Sequence, residues 1–329
     1  MPSKNEGTND VKGWYHKTCT APGRLDGKLA VVTGASTGIG EVTAAELARR
    51  GCKVIMACRD LKRAQAAVDR ILDKYGPSKP DSVKLNVADS SVIQYLSVVQ
   101  PDQLVVEMLD LASLQSVREF ASRISSKYDK LDYLINNAGI IQTKIKKSVD
   151  GFELTLATNH LGPFLLTELL TPMLKRAAPS RIINVSSMVH YNAKVWKPNL
   201  FIPEKEYSDL TAYNWSKLAN VMHAKELSRR LQGTGVTAVS LHPGIVKTEL
   251  ARDLSGAFSM FLMKLVKPLQ ITPWQGAQTT LYTVLTKSLD PGAYYSNCAW
   301  KEASSAALNE EDCKWLWMKS CELVGISST

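Results

Sequence analysis

Tyr213 and Lys217 are the pair in this sequence best suited to proton transfer. Residues four apart on a helix present their side chains on the same face, so the phenol and the ammonium would lie together. A phenol has an unperturbed pKa near about 10, and a neighbouring positive charge favours the phenolate. A shift of roughly two to three units corresponds to about 3–4 kcal/mol and would suit Tyr213 to general acid–base work. For these two residues alone, a Tyr and a Lys stacked on an amphipathic helix surface is the alternative.

The stretch TGASTGIG, residues 33–40, carries three glycines directly after the apolar run 29–32. A strand that turns sharply into a helix needs positive φ angles and close backbone approach, which glycine permits. The N–H groups that open the following helix can then bind phosphate oxygens. Because the turn lies at the first strand–helix junction, it predicts dinucleotide binding rather than a simple tight turn. The contacting residues predicted there are Gly34, Ser36, Thr37, Gly38, Ile39 and Gly40.

The second apolar run, 53–58, ends in ACRD. Dinucleotide-binding sheets that prefer NAD place an acidic residue at this strand end, whereas a basic residue suits the 2′-phosphate of NADP. Here Cys58 is followed by Arg59, whose guanidinium can pair bidentately with phosphate, and Asp60 comes one position too late to be the acceptor. The sequence therefore predicts NADP(H); an ordinary surface charge at Arg59 is the alternative.

Strand-length apolar runs alternate with stretches of helical spacing along the chain. The predicted strands are 29–33, 53–58, 105–109, 132–135, 181–185 and 236–241, and the predicted helices are 41–50, 61–74, 113–127, 152–176 and 214–232. Continuous apolar strands separated by helices indicate a parallel sheet buried on both faces. The fold class predicted is α/β, a Rossmann-type doubly wound parallel sheet. Residues 1–25 are predicted to be a polar, loosely attached arm, and 26–329 a single domain with helices on both faces. The long interval 76–103 leaves room for a further short strand and helix.

Composition limits the function classes. The net charge is +9, but Lys and Arg are spread along the chain without a basic block, so a solvated basic surface is favoured over nucleic-acid binding. The sequence contains no run of eighteen apolar residues, so it predicts no membrane-spanning helix. Six scattered cysteines without metal-site spacing indicate reduced thiols and a cytoplasmic location.

The TGxxxGxG turn, NNAG at 136–139, NVSS at 184–187 and YNWSK at 213–217 together resemble the short-chain dehydrogenase/reductase family, in that family's order. The resemblance implies four catalytic residues: Asn159, Ser187, Tyr213 and Lys217. Ser187, rather than its neighbour Ser186, would hydrogen-bond the substrate oxygen, and Asn159 would anchor a water in the proton path to the lysine. Oxidised nicotinamide would add to the charge that favours the Tyr213 phenolate.

The same resemblance implies further contacts with the cofactor. Asp110, with Leu111, would contact adenine; Asn137, Ala138 and Gly139 would flank the ribose; and Pro243, Val246 and Thr248 would hold the nicotinamide carboxamide. For Asp110 and Thr248, helix capping is the alternative.

ACRD, TNHLGPFLLTELL, SKLANV and the C-terminal tail look like the retinol dehydrogenase branch of that family. That likeness implies an apolar retinoid, aldehyde or steroid-like substrate and lid segments at about 188–212 and 249–272. Many members of the branch begin with a membrane anchor, but the N-terminus here is polar. Residues 257–270 are predicted to belong to the lid. Peripheral contact with an intracellular membrane, and a homodimer contact, are the alternatives for this stretch.

Together these features predict an NADP(H)-dependent oxidoreductase that interconverts an alcohol and its carbonyl. A non-catalytic NADP(H)-binding redox sensor or scaffold is the rival, and retention of all four catalytic residues argues against it. A nucleic-acid or membrane-surface protein would bind with a steep salt dependence.

Overall fold

The computed structural model describes residues 16–246 and 270–328, which build a mixed sheet covered by helices. In chain order the strands and helices are β1 Leu29–Thr33, α1 Gly38–Arg49, β2 Lys53–Cys58, α2 Leu61–Tyr75, β3 Leu104–Met108, α3 Leu114–Lys127, β4 Tyr133–Asn136, α4 Leu154–Leu156, α5 Gly162–Arg176, β5 Ser180–Val185, α6 Asp209–Arg230, β6 Val236–His242, α7 Pro273–Leu285, β7 Tyr294–Ser296, β8 Ala299–Lys301, α8 Ser305–Leu308 and α9 Glu310–Val324. A π-helical turn, Ala157–Leu161, joins α4 to α5.

The strands of the described residues run in the order β3-β2-β1-β4-β5-β6-β7-β8. Neighbours are parallel from β3 to β7, and only the last pair, β7 with β8, is antiparallel. The predicted Rossmann-type sheet is confirmed, and its six predicted strands lie within one residue of those observed. The three-residue strands β7 and β8 were not predicted, because such short segments carry too little periodicity.

Each central strand is buried on both faces. Val31 and Ile55 pack into a core shared with α3, α5, α6 and α9, whereas Val32 and Met56 point to the opposite core, shared with α1, α2 and α7. Alternate strand residues therefore enter different cores, which is why the strands read as unbroken apolar runs.

The interval 76–103 forms three short 3₁₀ turns, Pro80–Lys84, Ser90–Tyr95 and Pro101–Gln103, and not the strand and helix for which its length left room. Arg49, at the end of α1, is fully buried beneath it and donates hydrogen bonds to the carbonyls of Ser82, Val83 and Leu85. The buried cation satisfies backbone acceptors that a strand or helix would have paired internally.

Residues 16–25 pack against α7, the turn between β7 and β8, and the end of α1. Cys19 is only 2% exposed, and its N–H donates to Gln278 Oε1 at 3.0 Å. The N–H of Lys17 donates to Asn297 Oδ1 at 2.6 Å. The described part of the predicted arm is therefore held by specific contacts and is not loosely attached; residues 1–15 lie outside the described residues.

All six cysteines are buried free thiols, which confirms the absence of disulfides expected from their scattered positions. Across 16–246 and 270–328, no helix combines the length and apolar character needed to cross a bilayer.

Candidate active site

The glycine turn after β1 has the backbone geometry that its sequence predicts. Gly34 and Gly38 have φ angles of +66° and +58°, which residues other than glycine rarely adopt. A Cβ at Gly40 would stand 2.3 Å from the carbonyl oxygen of Gly34. The turn therefore requires glycine at these positions, for two different reasons.

Thr33, the last residue of β1, ties the glycine turn to the turn after β4. Its Oγ1 accepts hydrogen bonds from the N–H groups of Asn137 and Ala138, both at 3.0 Å. The Asn137 side chain returns a bond from Nδ2 to the Thr33 carbonyl at 2.9 Å. The predicted ribose-flanking residues thus lie beside the predicted phosphate turn. Thr33 was not among the predicted site residues, although it opens the glycine motif.

The start of α1 offers free N–H groups to an anion. Within the described chain, Thr37 occupies the N-cap position without a side-chain hydrogen bond to the helix. Arg70 braces the turn from outside, since its Nη2 donates to the Ser36 carbonyl at 3.1 Å and to Glu41 Oε2 at 2.7 Å. A braced helix start without a side-chain cap fits the phosphates of a dinucleotide.

The end of β2 lies directly beneath this turn. Burial raises the pKa of the Cys58 thiol to about 11, although hydrogen bonds from Ala35 and Ser36 oppose the shift. The thiol is therefore neutral where an NAD-preferring sheet would carry a carboxylate. Arg59, the next residue, is exposed.

Helix α6 carries Tyr213 and Lys217 on one face. It begins at Asp209, five residues before the predicted start, because Ser208 caps it by accepting the N–H of Thr211 at 3.0 Å. Tyr213 is 9% exposed and Lys217 is 3% exposed. The ammonium nitrogen lies 5.4 Å from the centroid of the phenol ring and donates to the Val185 carbonyl at 3.0 Å.

Burial shifts both pKa values toward the neutral forms. It raises the pKa of Tyr213 well above its ordinary value, and a hydrogen bond with Ser187 opposes that rise. It lowers the pKa of Lys217 to about 8. The expected depression of the phenol pKa is therefore not produced by the protein groups alone, because desolvation outweighs the stabilisation of the phenolate.

The two serines after β5 contact different parts of α6. Ser186 Oγ donates to the carbonyl of Lys217 at 2.7 Å and so holds α6. Ser187 lies close enough to Tyr213 for its hydroxyl to lower the pKa of the phenol. The structure thus brings Ser187, not Ser186, near the tyrosine; the catalytic role of Ser187 stays a prediction.

Asn159 lies in the π-helical turn and is fully buried. Its Oδ1 accepts the N–H of Ile140 at 2.8 Å, while its Nδ2 donates to the Ile140 carbonyl and to Ser216 Oγ, each at 3.0 Å. A Cβ at Gly139 would lie 3.2 Å from the Lys217 nitrogen and 3.6 Å from Asn159 Oδ1. Asn159 therefore binds the turn that passes the ammonium; its role in anchoring a water stays a prediction.

Asp110 and Leu111 follow β3 at the same edge of the sheet. Asp110 Oδ1 accepts the N–H of Ala112 at 3.0 Å, so this side chain closes a local turn. It does not cap α3, whose N-cap is Ser113. Leu111 is buried, and its carbonyl leaves no room for a Cβ at Gly162, which would stand 2.2 Å from the oxygen. The adenine contact of this pair stays a prediction.

The loop after β6 reaches the glycine turn. A Cβ at Gly276 would stand 2.6 Å from Val246 Cγ2 and 3.2 Å from Ile39 Cγ1, so these predicted cofactor residues meet at the start of α7. Pro243 is buried in the same loop. Thr248 lies outside the described residues, as do nearly all of the predicted lid 249–272 and of the stretch 257–270.

The segment 188–212 packs on α6. Leu200 is fully buried, and its carbonyl accepts the indole N–H of Trp215 at 2.8 Å. Phe201 stacks on Phe152 with ring centroids 6.1 Å apart. Its function as a substrate lid stays a prediction.

These residues meet at the carboxyl ends of β1, β4, β5 and β6, where open α/β sheets bind ligands. The glycine turn lets the backbone of β1 approach the start of α1 closely, and the Ser187–Tyr213–Lys217 group lies at the same end of the sheet. The donor set fits a nicotinamide dinucleotide, held by the turns at 34–40 and 137–139 together with Lys217.

A family model described as short chain dehydrogenase matches residues 28–100 and 90–257. Retinol dehydrogenase 12 of Mus musculus is 41% identical over 310 residues, covering 94% of this chain and 90% of that protein. Retinol dehydrogenase 13 of Homo sapiens is 39% identical over 316 residues, covering 94% and 88%.

Solved structures share the fold. An uncharacterized protein from Mycobacterium Paratuberculosis is similar with a TM-score of 0.71 and 32% identity, covering 94% of this chain and 97% of that one. The Pseudomonas aeruginosa RhlG/NADP active-site complex is similar with a TM-score of 0.60 and 22% identity, covering 83% and 95%.

Proposed function

Since this chain belongs to the short-chain dehydrogenase/reductase family and is an oxidoreductase of its retinol dehydrogenase-like branch, we propose that it uses NADP(H) to interconvert an alcohol and its carbonyl on an apolar substrate. Tyr213 acts as general acid and base. The observation that carries the proposal is the grouping of half-buried Ser187 with buried Tyr213 and Lys217 at the carboxyl end of the sheet.

The proton chemistry follows from the environment of the phenol. A bound nicotinamide supplies or accepts the hydride. In the reducing direction Tyr213 can act as acid, because burial keeps it protonated. The raised pKa makes the phenol a weaker acid, but the developing alkoxide is a stronger base than the phenolate and takes the proton. Ser187 donates a hydrogen bond to the same substrate oxygen and stabilises its growing charge. Lys217, while protonated, stabilises the phenolate left behind.

The preference for NADP(H) rests on the end of β2. Cys58 places a neutral, buried thiol where an NAD-binding acid would stand, and Arg59 places an exposed guanidinium beside it. An anionic 2′-phosphate would gain a charge-assisted hydrogen bond from Arg59, whereas NAD would gain neither that bond nor a carboxylate partner for its ribose.

The substrate class is proposed from the relatives and from the sequence around the site. The matched proteins are named retinol dehydrogenases, and the segment 188–212, the predicted lid, carries apolar side chains such as Phe201, which stacks on Phe152. Retinoids, medium-chain aldehydes and steroid ketones are the candidate substrates, with reduction the favoured direction.

The test is NADPH oxidation by the purified protein with retinal, a steroid ketone and medium-chain aldehydes, each repeated with NADH. Tyr213→Phe should lower turnover by about 10²- to 10⁴-fold, the usual loss when a general acid is removed, while NADPH binding by fluorescence is retained. Tyr282→Phe, on α7, is the matched control and should turn over normally. Normal turnover by Tyr213→Phe would remove the mechanism, and NADPH binding without turnover on any carbonyl would favour the redox-sensor alternative.

A further inference from the structure

The turn that follows Ser187 is built around a buried histidine. Residues Met188–Asn192 form a single 3₁₀ turn capped by Ser187, and His190 within it is fully buried. His190 holds the Ser187 carbonyl twice, from its backbone N–H at 3.2 Å and from its ring nitrogen Nδ1 at 2.8 Å. The backbone of the serine is thus fixed by the residue three positions later.

The partners of the His190 ring define its tautomer. Nε2 lies 3.2 Å from the backbone N of Ser304, which can only donate, so Nε2 must accept. The Ser187 carbonyl can only accept, so Nδ1 must carry the proton. Burial lowers the pKa of His190, in keeping with this neutral form. A neutral imidazole therefore joins the C-terminal part of the chain to the backbone of Ser187.

Neighbouring contacts hold the same turn against the same segment. The hydroxyl of Tyr191 donates to the carbonyl of Glu302. The His190 ring packs between aromatic rings, with centroid distances of 4.1 Å to Tyr191 and 4.7 Å to Tyr294 of β7. The ring has little freedom to rotate away from Ser187.

We propose that His190 is a positioning residue: bridged to Ser304, it sets the Ser187 backbone so that the serine hydroxyl meets Tyr213 and the substrate oxygen. This inference rests on the catalytic role proposed for Ser187. Small displacements of a reacting group are costly, and an error of about 1 Å can lower a rate by about 10²-fold. The substrate-binding surfaces stay in place, so the loss falls on kcat.

Two replacements separate the positioning bond from the mere filling of space. His190→Asn can place an amide N–H near the Nδ1 position and keep the bond to Ser187, whereas His190→Gln places its amide near Nε2 and loses it. His190→Asn keeps the bond to Ser187 but not the one from Ser304, so we expect it to lose kcat only several-fold, as Ser304→Pro does. We expect His190→Gln to lose about 10- to 100-fold in kcat, with KM for NADPH unchanged in both. If both variants fold by circular dichroism and lose equally, or neither loses, the proposal is overturned.

The other end of the bridge can be cut at the backbone. Ser304 has a φ of −61°, which suits proline, so Ser304→Pro removes the donated N–H. The ring carbon that replaces the hydrogen also pushes against His190 Nε2, so the bridge is fully cut. Ser305→Pro, at the first position of α8, is the matched control. We expect kcat to fall several-fold in Ser304→Pro and to stay unchanged in Ser305→Pro; equal rates in the two variants would contradict the bridge.

Coupling to Ser187 distinguishes positioning from a general structural role. In a Ser187→Ala background, measured with a reactive aldehyde over long times, His190→Gln should cost nothing further, because the group it positions is gone. An undiminished 10- to 100-fold loss in that background would overturn the inference. Normal turnover by Ser187→Ala alone would instead overturn the proposed function on which it rests.

Discussion

At the residue scale, Lys217 owes its chemistry to the site in which it is buried. Burial lowers its pKa to about 8, so its charge is lost within the range of ordinary assays. An ammonium that faces an anionic cofactor and a phenolate contributes only while protonated. The ordinary lysine pKa near about 10.4 would have kept that charge at any working pH.

We expect kcat/KM for NADPH, which reports ionisations of the free enzyme, to fall as the pH rises through about 8. Lys217→Met should lower the rate at pH 7 and remove this alkaline limb. Lys225→Met, two turns further along α6, is the control and should keep the limb. A limb that persists in Lys217→Met would assign it to another group.

Arg59 should determine the preference of the enzyme for NADPH over NADH. A charge-assisted hydrogen bond contributes about 1.5–3 kcal/mol, so Arg59→Ala should raise KM for NADPH by about 10- to 100-fold and change KM for NADH less than about twofold. Lys130→Ala, just before β4 at the amino-terminal end of the strands, should change neither. Equal losses with both cofactors would contradict a 2′-phosphate contact.

Motif spacing predicted a catalytic site but not every residue that contacts it in the structure. The sequence identified Ser187, Tyr213 and Lys217, because their spacing on a strand end and a helix is a local property. Thr33 and His190 were missed, since each acts through a contact with a residue distant in sequence: Thr33 with the turn after β4, and His190 with Ser304. No periodicity signals such a contact.

At the element scale, the interval 76–103 depends on one side chain of α1. Arg49 pairs with Glu46 on its own helix and supplies carbonyls of the interval with their donors. Arg49 also contacts the aromatic ring of Tyr75, since its guanidinium lies 4.5 Å from the ring centroid. The irregular segment is thus organised by a buried charge, not by its own periodicity.

Breaking a buried ion pair typically costs about 3–5 kcal/mol, so Arg49→Met should lower the free energy of unfolding by about that amount. Hydrogen exchange in 76–103 should also quicken. Lys84→Met removes an exposed pair with Asp81 and should cost less than about 1 kcal/mol. Urea titrations of the two variants give the comparison, and a loss below about 1 kcal/mol in Arg49→Met would disprove the dependence.

Helix and strand patterns predicted most elements because the central strands and amphipathic helices bury regular apolar surfaces. They failed where tertiary contacts decide the outcome. The start of α6 moved to Asp209 through a cap at Ser208, the π-helical turn at Asn159 carries no sequence signature, and β8 forms only by pairing with β7.

At the scale of the whole molecule, several titratable groups are buried in their neutral forms. Burial lowers the pKa of His160 and of His242 to about 4, and that of His223 further still. Glu168 works in the opposite sense, since burial raises its pKa to about 7. Burial also lowers the pKa of His190, so these four histidines oppose folding as acid is added, and Glu168 favours it.

Between pH 6.5 and about 4 the unfolded chain protonates these histidines while the folded chain does not, so stability falls as the pH falls. Each of the three with large shifts contributes about 1.4 kcal/mol per pH unit. With Glu168 opposing these three, we expect a net loss of roughly 3 kcal/mol per unit below pH 6.5, to which His190 adds. Urea unfolding at several pH values measures it; His160→Gln should reduce the slope by one group, and stability that is level or rising from pH 6.5 to 5 would contradict the prediction.

The bridge from Ser304 to His190 also has a consequence for biosynthesis. The glycine turn and the turn after β4 are complete once residue 139 has been made, whereas Ser304 stands near the end of the 329-residue chain. On the ribosome, a partly translated polypeptide could therefore assemble its dinucleotide crevice long before its serine is aligned. We expect such unfinished chains to bind cofactor without oxidising it. Catalytic activity should appear only when translation is complete.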